Sequence, residues 1–317
     1  MAPGRAQAEI VWDAPAGEQI LAIDRGAFDA QLARQAVAAG AAVRTAARVD
    51  AIEEQAAGVA LQVGTERIRA RACVLACGVS YRFQRRLGLG LPGQVIHTAQ
   101  VEARAVPSDT VELHFGREVA RDGFIWSVPV SRNGQSRLKV GVMAHGDTGA
   151  SIQRFLSRPD VSARLVETPG PPIRRLLPLK PLPRTYADHL LVVGDAGGFT
   201  KPTTGGGIYY SLLTATLAAE TLIEGFAAGR LDEAFLERYE RRWQDRLGQE
   251  LRVGDWLRQL VTRCSDAEID TLVRAFATED VQAVIRRTAR FNWHRPLILA
   301  LVRQKGIAAL LFRSLFR

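Results

Sequence analysis

"VVGDAGGFTKPTTGGGIYYSLLTATLAAE", residues 192–220, runs from an apolar strand through a glycine-rich turn into a stretch with helical periodicity. A strand that ends in Gly194-Asp195 puts a carboxylate at the carboxyl edge of a sheet, which is where open α/β folds bind ligands. A carboxylate there suits a sugar or polyol hydroxyl. Ten residues on, Gly205, Gly206 and Gly207 leave successive backbone N–H groups unshielded, and the helix they open points its positive end the same way. The turn is built for a large ligand with hydroxyls and partial negative charge. The competing reading is a tight strand-to-helix turn that uses glycine for positive φ alone; Asp195 and Pro202 at these offsets weigh against it.

The rest of the chain fits an α/β protein. At 317 residues and 47% hydrophobic it can bury a sizeable core and is not disordered. "AFDAQLARQAVAAG" puts Phe28, Leu32, Ala36 and Val37 on one helical face with Gly40 as the stop. "EQILAIDR", "AAVRTAARVDAIEE", "GVALQV" and "RIRARACVLACG" read as strands. From about Gly93 to Pro183 the texture turns strand-rich, which marks an inserted β module, residues 93–183. Residues 1–92 and 184–228 then form one discontinuous α/β unit, and 229–317 a helical region.

Net charge is +9, and the lysines are Lys139, Lys180, Lys201 and Lys305, so nearly all of the 42 basic residues are arginine. Codon bias explains such a balance as well as function does. The one electrostatic asymmetry is residues 281–317, which hold eight basic and no acidic side chains. Cys73, Cys77 and Cys264 make no disulfide framework or metal set, the start has no signal-peptide core, and no run of apolar residues spans a bilayer. A cytoplasmic protein is expected, with no metal and no nucleic-acid partner. "FNWHRPLILALVRQKGIAALLFRSLFR" has two readings: a basic amphipathic helix that holds the protein at the inner face of a membrane, or a helix whose leucines pack on the helical region.

The turn itself resembles the second flavin-binding motif of FAD-dependent oxidoreductases of the p-hydroxybenzoate-hydroxylase type, and "KPTTGGGIYY" is similar, more narrowly, to the geranylgeranyl reductase family. The resemblance implies an FAD-binding three-layer domain. It implies that Asp195 bonds the ribityl chain and that Gly197, Pro202 and Gly205 to Gly207 meet the flavin; valine at Gly206 is expected to fill the flavin's place. "AIDRGAFDAQLARQAVAAGAAV" is similar to the family segment that lays an arginine along FAD, which implies Arg25, with a solvated arginine as the alternative. "GFIWSVPV" resembles the family's substrate-domain pattern and implies Phe124, Trp126 and Pro129 around the substrate. Strand alternation alone offers Phe124, Trp126 and Val128 a plain core role. Tyr209 and Tyr210 lie near the implied flavin edge or simply pack.

The implied activity is reduction of carbon–carbon double bonds of a polyprenyl (geranylgeranyl-type) lipid or isoprenoid, with NAD(P)H or ferredoxin as electron donor. The sequence singles out no proton donor. A flavin monooxygenase or halogenase of the same fold, and a catalytically silent fragment, are the alternatives. The family's opening G-x-G-x-x-G unit needs about 30 residues or more, whereas 24 precede Arg25, so an N-terminally incomplete domain with weak FAD binding is expected. "GLGLPG", Gly88 to Gly93, matches the pattern but follows no apolar strand and carries Pro92, so it reads as a decoy. In "VLACGVSY" Cys77 stands where the family has Asp or Thr.

Overall fold

The computed structural model describes residues 1–12 and 22–315. Helix α1 (Arg25–Ala38) is followed by β1 (Val49–Gln55), β2 (Gly58–Val63), β3 (Glu66–Ala70), β4 (Cys73–Leu75) and the short helix α2 (Arg82–Arg86). The β module contains β5 (Val95–Arg104), β6 (Glu112–His114), β7 (Phe124–Arg132), β8 (Gln135–Ala144), α3 (Thr148–Leu156), α4 (Pro159–Ser162) and β9 (Ile173–Pro178). Then come β10 (Tyr186–Ala187), β11 (Leu190–Val192), a 3-10 turn (Gly194–Gly197) and the long helix α5 (Ile208–Ala228). Helices α6 (Glu233–Trp243), α7 (Gln249–Arg263), α8 (Asp266–Phe276), α9 (Glu279–Thr288), α10 (Arg295–Leu301) and α11 (Lys305–Leu315) complete the chain.

Three layers surround the opening stretch. Strand β11 pairs parallel with β4 and antiparallel with β10, so residues far apart in sequence end at one sheet edge. Alternation along β11 gives each face its own core. Leu190 and Val192 pack with Leu75 and with Val49 and Ile52 of the β1-β2-β3 meander. Leu191 and Val193 pack with Tyr210 and Ala218 of α5 and with Phe235 and Tyr239 of α6.

The second sheet has the order β6-β7-β8-β5-β9 and is antiparallel throughout. One face, with Ile125, Val140 and Val142, is sealed by Ile152 and Phe155 of α3. The other carries Ile96, Met143 and Leu179, with Phe124, Trp126 and Leu177 against them.

Several expected elements come out differently. The 67–78 strand is two strands, because between Ala70 and Cys73 the chain leaves the meander for the β4-β11 sheet, and alternation does not register a change of sheet. The 41–54 strand begins only at Val49. Of "EQILAIDR", Glu18 to Leu21 lie outside the described residues, and Asp24 is the N-cap of α1, accepting from the Ala27 N–H at 2.9 Å. Helix α1 does stop at Gly40, which takes a φ of +95°. Its apolar stripe, however, is not packed: α1 contains no buried residue, and Leu32 and Val37 are exposed.

The tail resolves toward packing. Leu301, Ile307, Leu310 and Leu311 are buried in one cluster with Leu260 of α7 and Leu272 of α8, and Leu297 lies against it. Arg295, Arg303 and Lys305 stay exposed; Phe312, Arg313 and Arg317 lie outside the described side chains. Among the described residues no helix is long and apolar enough to cross a membrane.

Candidate active site

Strands β4 and β11 run parallel, so both release their chains at the same edge, which is where open α/β sheets place ligands. Gly194, at φ +58°, turns the chain sharply out of β11, and a methyl on it would come within 2.8 Å of Ser211 Oγ on α5. Its N–H donates to Thr214 Oγ1 at 3.2 Å. From the β4 side, Tyr81 Oη donates to the Asp195 carbonyl at 3.1 Å and Gln84 Nε2 to the Ala196 carbonyl at 3.0 Å. The 3-10 turn is thus clamped by α5 on one side and by the segment that follows β4 on the other. Cys77 lies in the same edge loop and donates to the Ser80 carbonyl at 3.3 Å.

Among the described residues nothing donates to the Asp195 carboxylate. Burial holds its pKa above the ordinary carboxylate value, and the charge of Arg25 acts in the opposite direction. Arg25 therefore senses Asp195, although it stands in the first turn of α1 and pairs with Asp29 at 3.0 Å, 59% exposed.

The glycines of the turn do three different jobs. Gly205 has a φ of +74°, and a methyl there would sit 2.6 Å from Leu177 Cδ2 and 3.2 Å from Met143 Sδ. It brings the turn onto the open face of the second sheet. At Gly207 a methyl would meet Asp195 Oδ1 at 2.8 Å, so the space before that carboxylate exists because no side chain fills it. Gly207 gives α5 no side-chain cap, and the first N–H groups of the helix stay available beside Asp195. A methyl on Gly206 would instead point at Lys201 Cε, 3.4 Å away, and Thr204. Beside the expectation for Gly206, the structure adds that the first atom of a new side chain would meet Lys201.

Pro202 is buried, with its ring against Gly254 of α7, and Gly197 is buried beside Phe199. Both shape the turn from behind. Lys201, 5% exposed, donates to the Phe291 carbonyl at 2.8 Å and to Asn292 Oδ1 at 2.9 Å. Burial lowers its pKa to about 8, against the raising influence of Glu250. Thr203 Oγ1 lies 2.6 Å from His294 Nδ1. Tyr210 donates to the Asn292 carbonyl at 3.2 Å, and Tyr209 meets the Trp293 ring edge-on at 5.8 Å. The two tyrosines pack against this C-terminal loop. The bonds of Lys201 and Tyr210 to residues about 80 to 90 positions away are invisible to a reading by local spacing.

On β7, Phe124 and Trp126 share the open face, with ring centroids 5.9 Å apart. Trp126 lies flat across the sheet because its partner is Gly141, where a methyl would come within 2.1 Å of the indole. Pro129 is not with them. It pairs with Leu138, which is buried on the α3 face, so alternation turns Pro129 away from Phe124 and Trp126. The structure sets Gly207 beside Asp195 and Gly205 against Met143 and Leu177, on the sheet face that carries Phe124 and Trp126, and turns Pro129 to the other face.

The residues fit FAD. An unpartnered half-buried carboxylate suits polyol hydroxyls, the uncapped helix start suits an electron-rich ring edge, and Gly207 keeps the cradle between them open. The decoy at Gly88 to Gly93 has none of this: Gly88 closes α2 at φ +67°, and Gly90 fits against Pro183.

No family model matches the chain. It is 30% identical over 283 residues to a digeranylgeranylglycerophospholipid reductase of Methanothermobacter thermautotrophicus, covering 83% of this chain and 70% of that protein. It is 29% identical over 277 residues to a digeranylgeranylglycerophospholipid reductase of Methanothrix thermoacetophila, covering 82% and 69%. In structure it superimposes on a geranylgeranyl bacteriochlorophyll reductase-like protein of Thermoplasma acidophilum with a TM-score of 0.82 at 18% identity, over 99% of this chain and 81% of that one. A flavin-dependent brominase gives 0.65 at 15% identity, over 96% and 77%, a likeness of fold alone. Sequence similarity along most of the chain agrees with the fold and with a turn shaped for a flavin, and on that footing the chain belongs to the geranylgeranyl reductase family of FAD-dependent oxidoreductases.

Proposed function

We propose that this enzyme reduces carbon–carbon double bonds of a polyprenyl lipid, with the chain laid between the glycine-rich turn and the open face of the second sheet. One observation carries the reading: Gly205 stands directly against Met143 and Leu177, on the face that also presents Phe124 and Trp126. A wall of that kind recognises a hydrocarbon by contact and excludes water. Bound FAD would supply hydride chemistry; Asp195, Gly197, Pro202, Gly205 to Gly207 and Arg25 are the residues proposed to hold it. Phe124 and Trp126 are the proposed substrate contacts. An unactivated alkene develops no oxyanion, so the protein's share is mainly positioning. NAD(P)H or ferredoxin is the proposed electron donor. Residues 1–92 with 184–228, 93–183 and 229–317 are the proposed units. Membrane contact, if made through the tail, would rest on exposed Arg295, Arg303 and Lys305, since the described leucines are packed inside.

The test is anaerobic incubation of the protein with FAD, a chemical reductant and a geranylgeranyl lipid, read by mass spectrometry. Gain of two hydrogens per reduced double bond is expected. Unchanged lipid in the presence of bound, reduced flavin contradicts the reading.

A further inference from the structure

Residues 201–206 close a small loop around the head of one of their own side chains. The Gly205 N–H donates to the Lys201 carbonyl at 2.8 Å, and the Lys201 N–H to the Gly206 carbonyl at 3.0 Å. A methyl on Gly206 would come 3.4 Å from Lys201 Cε and 3.6 Å from Nζ, so the ammonium lies directly behind the middle glycine of the turn. It is held there from outside the turn. Nζ donates to the Phe291 carbonyl and to Asn292 Oδ1, and the centre of the Phe291 ring is 4.6 Å away. Thr203 and Tyr210 bind the same 291–294 loop, at His294 Nδ1 and at the Asn292 carbonyl. A strut between a turn and a loop needs no charge, and burying one costs free energy that two neutral acceptors return only in part.

The charged and titratable groups around Lys201 are Glu250, Arg295, His294 and Tyr210. Glu250 of α7 acts on the ammonium, but its carboxylate accepts from the N–H groups of His294 and Arg295, and the Arg295 charge acts on Glu250 in turn. Burial and the charge of Lys201 hold His294 below its ordinary value, so its ring is neutral at neutral pH. Burial raises Tyr210, and its phenol keeps its proton.

We infer that Lys201 is a fixed cation that makes the glycine-rich turn hold reduced flavin more tightly than oxidised flavin, with residues 291–294 as its support. The inference rests on the proposed function, which lays flavin against Gly205 to Gly207, and adds to it a residue that sets the redox balance. Two electrons and one proton turn the neutral flavin ring into a singly anionic one, so a fixed positive charge beside it favours the reduced form. A buried ammonium acts more strongly than an exposed one, because little water screens it. The uncapped start of α5 works in the same direction, but it does not titrate.

The experiment is calorimetric titration of the protein with FAD, once oxidised and once reduced by excess dithionite under nitrogen. The ratio of the two dissociation constants is the redox preference. At neutral pH Lys201→Met should lower that ratio about tenfold, equal to about 30 mV in the two-electron potential, while oxidised FAD binds within about twofold of the wild type. Asn292→Ala, which removes one support and keeps the charge, should retain most of the preference. In the wild type the preference should fall as pH rises through about 8, where the ammonium loses its proton, and Lys201→Met should show no such fall. Equal weakening of both redox forms in Lys201→Met makes the lysine a strut and overturns the inference. So does an Asn292→Ala protein that loses as much preference as Lys201→Met. Should Lys201→Met not fold, the wild type decides, and a ratio that stays flat through that pH range overturns the inference. Binding of neither form by the wild type overturns the placement of flavin at the turn, and the proposed function with it.

Discussion

Two glycine-rich stretches of this chain look alike on paper and do opposite work. "GLGLPG" follows α2: Gly88 takes φ +67° after the helix, the Leu89 N–H reaches back to the Gln84 carbonyl at 2.9 Å, and Leu89 is 1% exposed. Its glycines end a helix and let the chain pass Pro183. "TTGGG" precedes a 21-residue helix and holds its backbone open beside an unpartnered carboxylate. Glycine spacing is the same kind of signal in both. What separates them is the neighbours: a half-buried aspartate at the end of a parallel strand in one, a proline and a buried leucine in the other.

The strongest way to break this comparison is at Gly205. Valine there combines a disfavoured φ of +74° with overlap onto Leu177. The strain and the forced repacking together predict a loss of about 3 kcal/mol of stability, seen as a large drop in Tm, with flavin affinity lost as well. A Gly205→Val protein that melts with the wild type would mean the turn does not rest on the sheet.

Next in size is Asp195→Ala. Flavin affinity should weaken by about 1.5 to 3 kcal/mol, the worth of a hydrogen bond to a charged group, as read by flavin fluorescence. The protein without flavin should become more stable at neutral pH, not less. Burial raises the carboxyl's pKa in the folded state, so the folded chain holds its proton where the unfolded chain has released it. The wild type is then stabilised at low pH relative to neutral, and that contribution is lost as pH rises from the ordinary aspartate value of about 3.9 through the raised one. Asp195→Ala should lack this fall. A variant with unchanged flavin affinity would remove the turn from the site.

Gly90→Ala is the matching change in the other stretch. A φ of +82° and a Pro183 carbon 2.9 Å from the new methyl predict a loss of about 1 to 2 kcal/mol. Flavin affinity should stay at the wild-type value. If it falls in step with stability, the two stretches are not functionally separate.

These contrasts mark what the sequence makes legible. The α/β class, the strands of the second sheet and the ligand-facing turn are all local: alternation fixes β5, β7 and β8, and Asp195 through Gly207 lie within one short run. The shared face of Phe124 and Trp126 also follows from alternation, and the same rule, applied strictly, would have excluded Pro129. What was hidden depends on distant pairings. Gly141 matters because β8 lies beside Trp126. Tyr81 and Gln84 matter because β4 ends beside β11. Lys201 reads as a surface lysine until Phe291 and Asn292 close over it. The stripe on α1 shows the converse: helical periodicity predicts a buried face at Phe28, Leu32 and Val37, yet burial needs a partner, and here Phe28 is only partly covered while Leu32 and Val37 are exposed.

The smallest expected effect is the sharpest within the turn. Gly206 lies between a glycine that supports the fold and one that guards the carboxylate, and spacing cannot tell the three apart. Its backbone is not in the left-handed region, and a methyl there meets nothing nearer than Lys201 Cε at 3.4 Å, the end of a side chain able to give. Gly206→Ala should therefore change stability by no more than about 0.5 kcal/mol, the range of an unstrained substitution. The methyl points toward Lys201 and Thr204, whereas a methyl on Gly207 points at Asp195. Flavin affinity in Gly206→Ala should accordingly stay close to the wild type, while Gly207→Ala, by crowding Oδ1, should weaken it. Equal losses in the two variants would show that the flavin approaches along the whole turn. Loss confined to Gly207→Ala would place it against Asp195, as proposed.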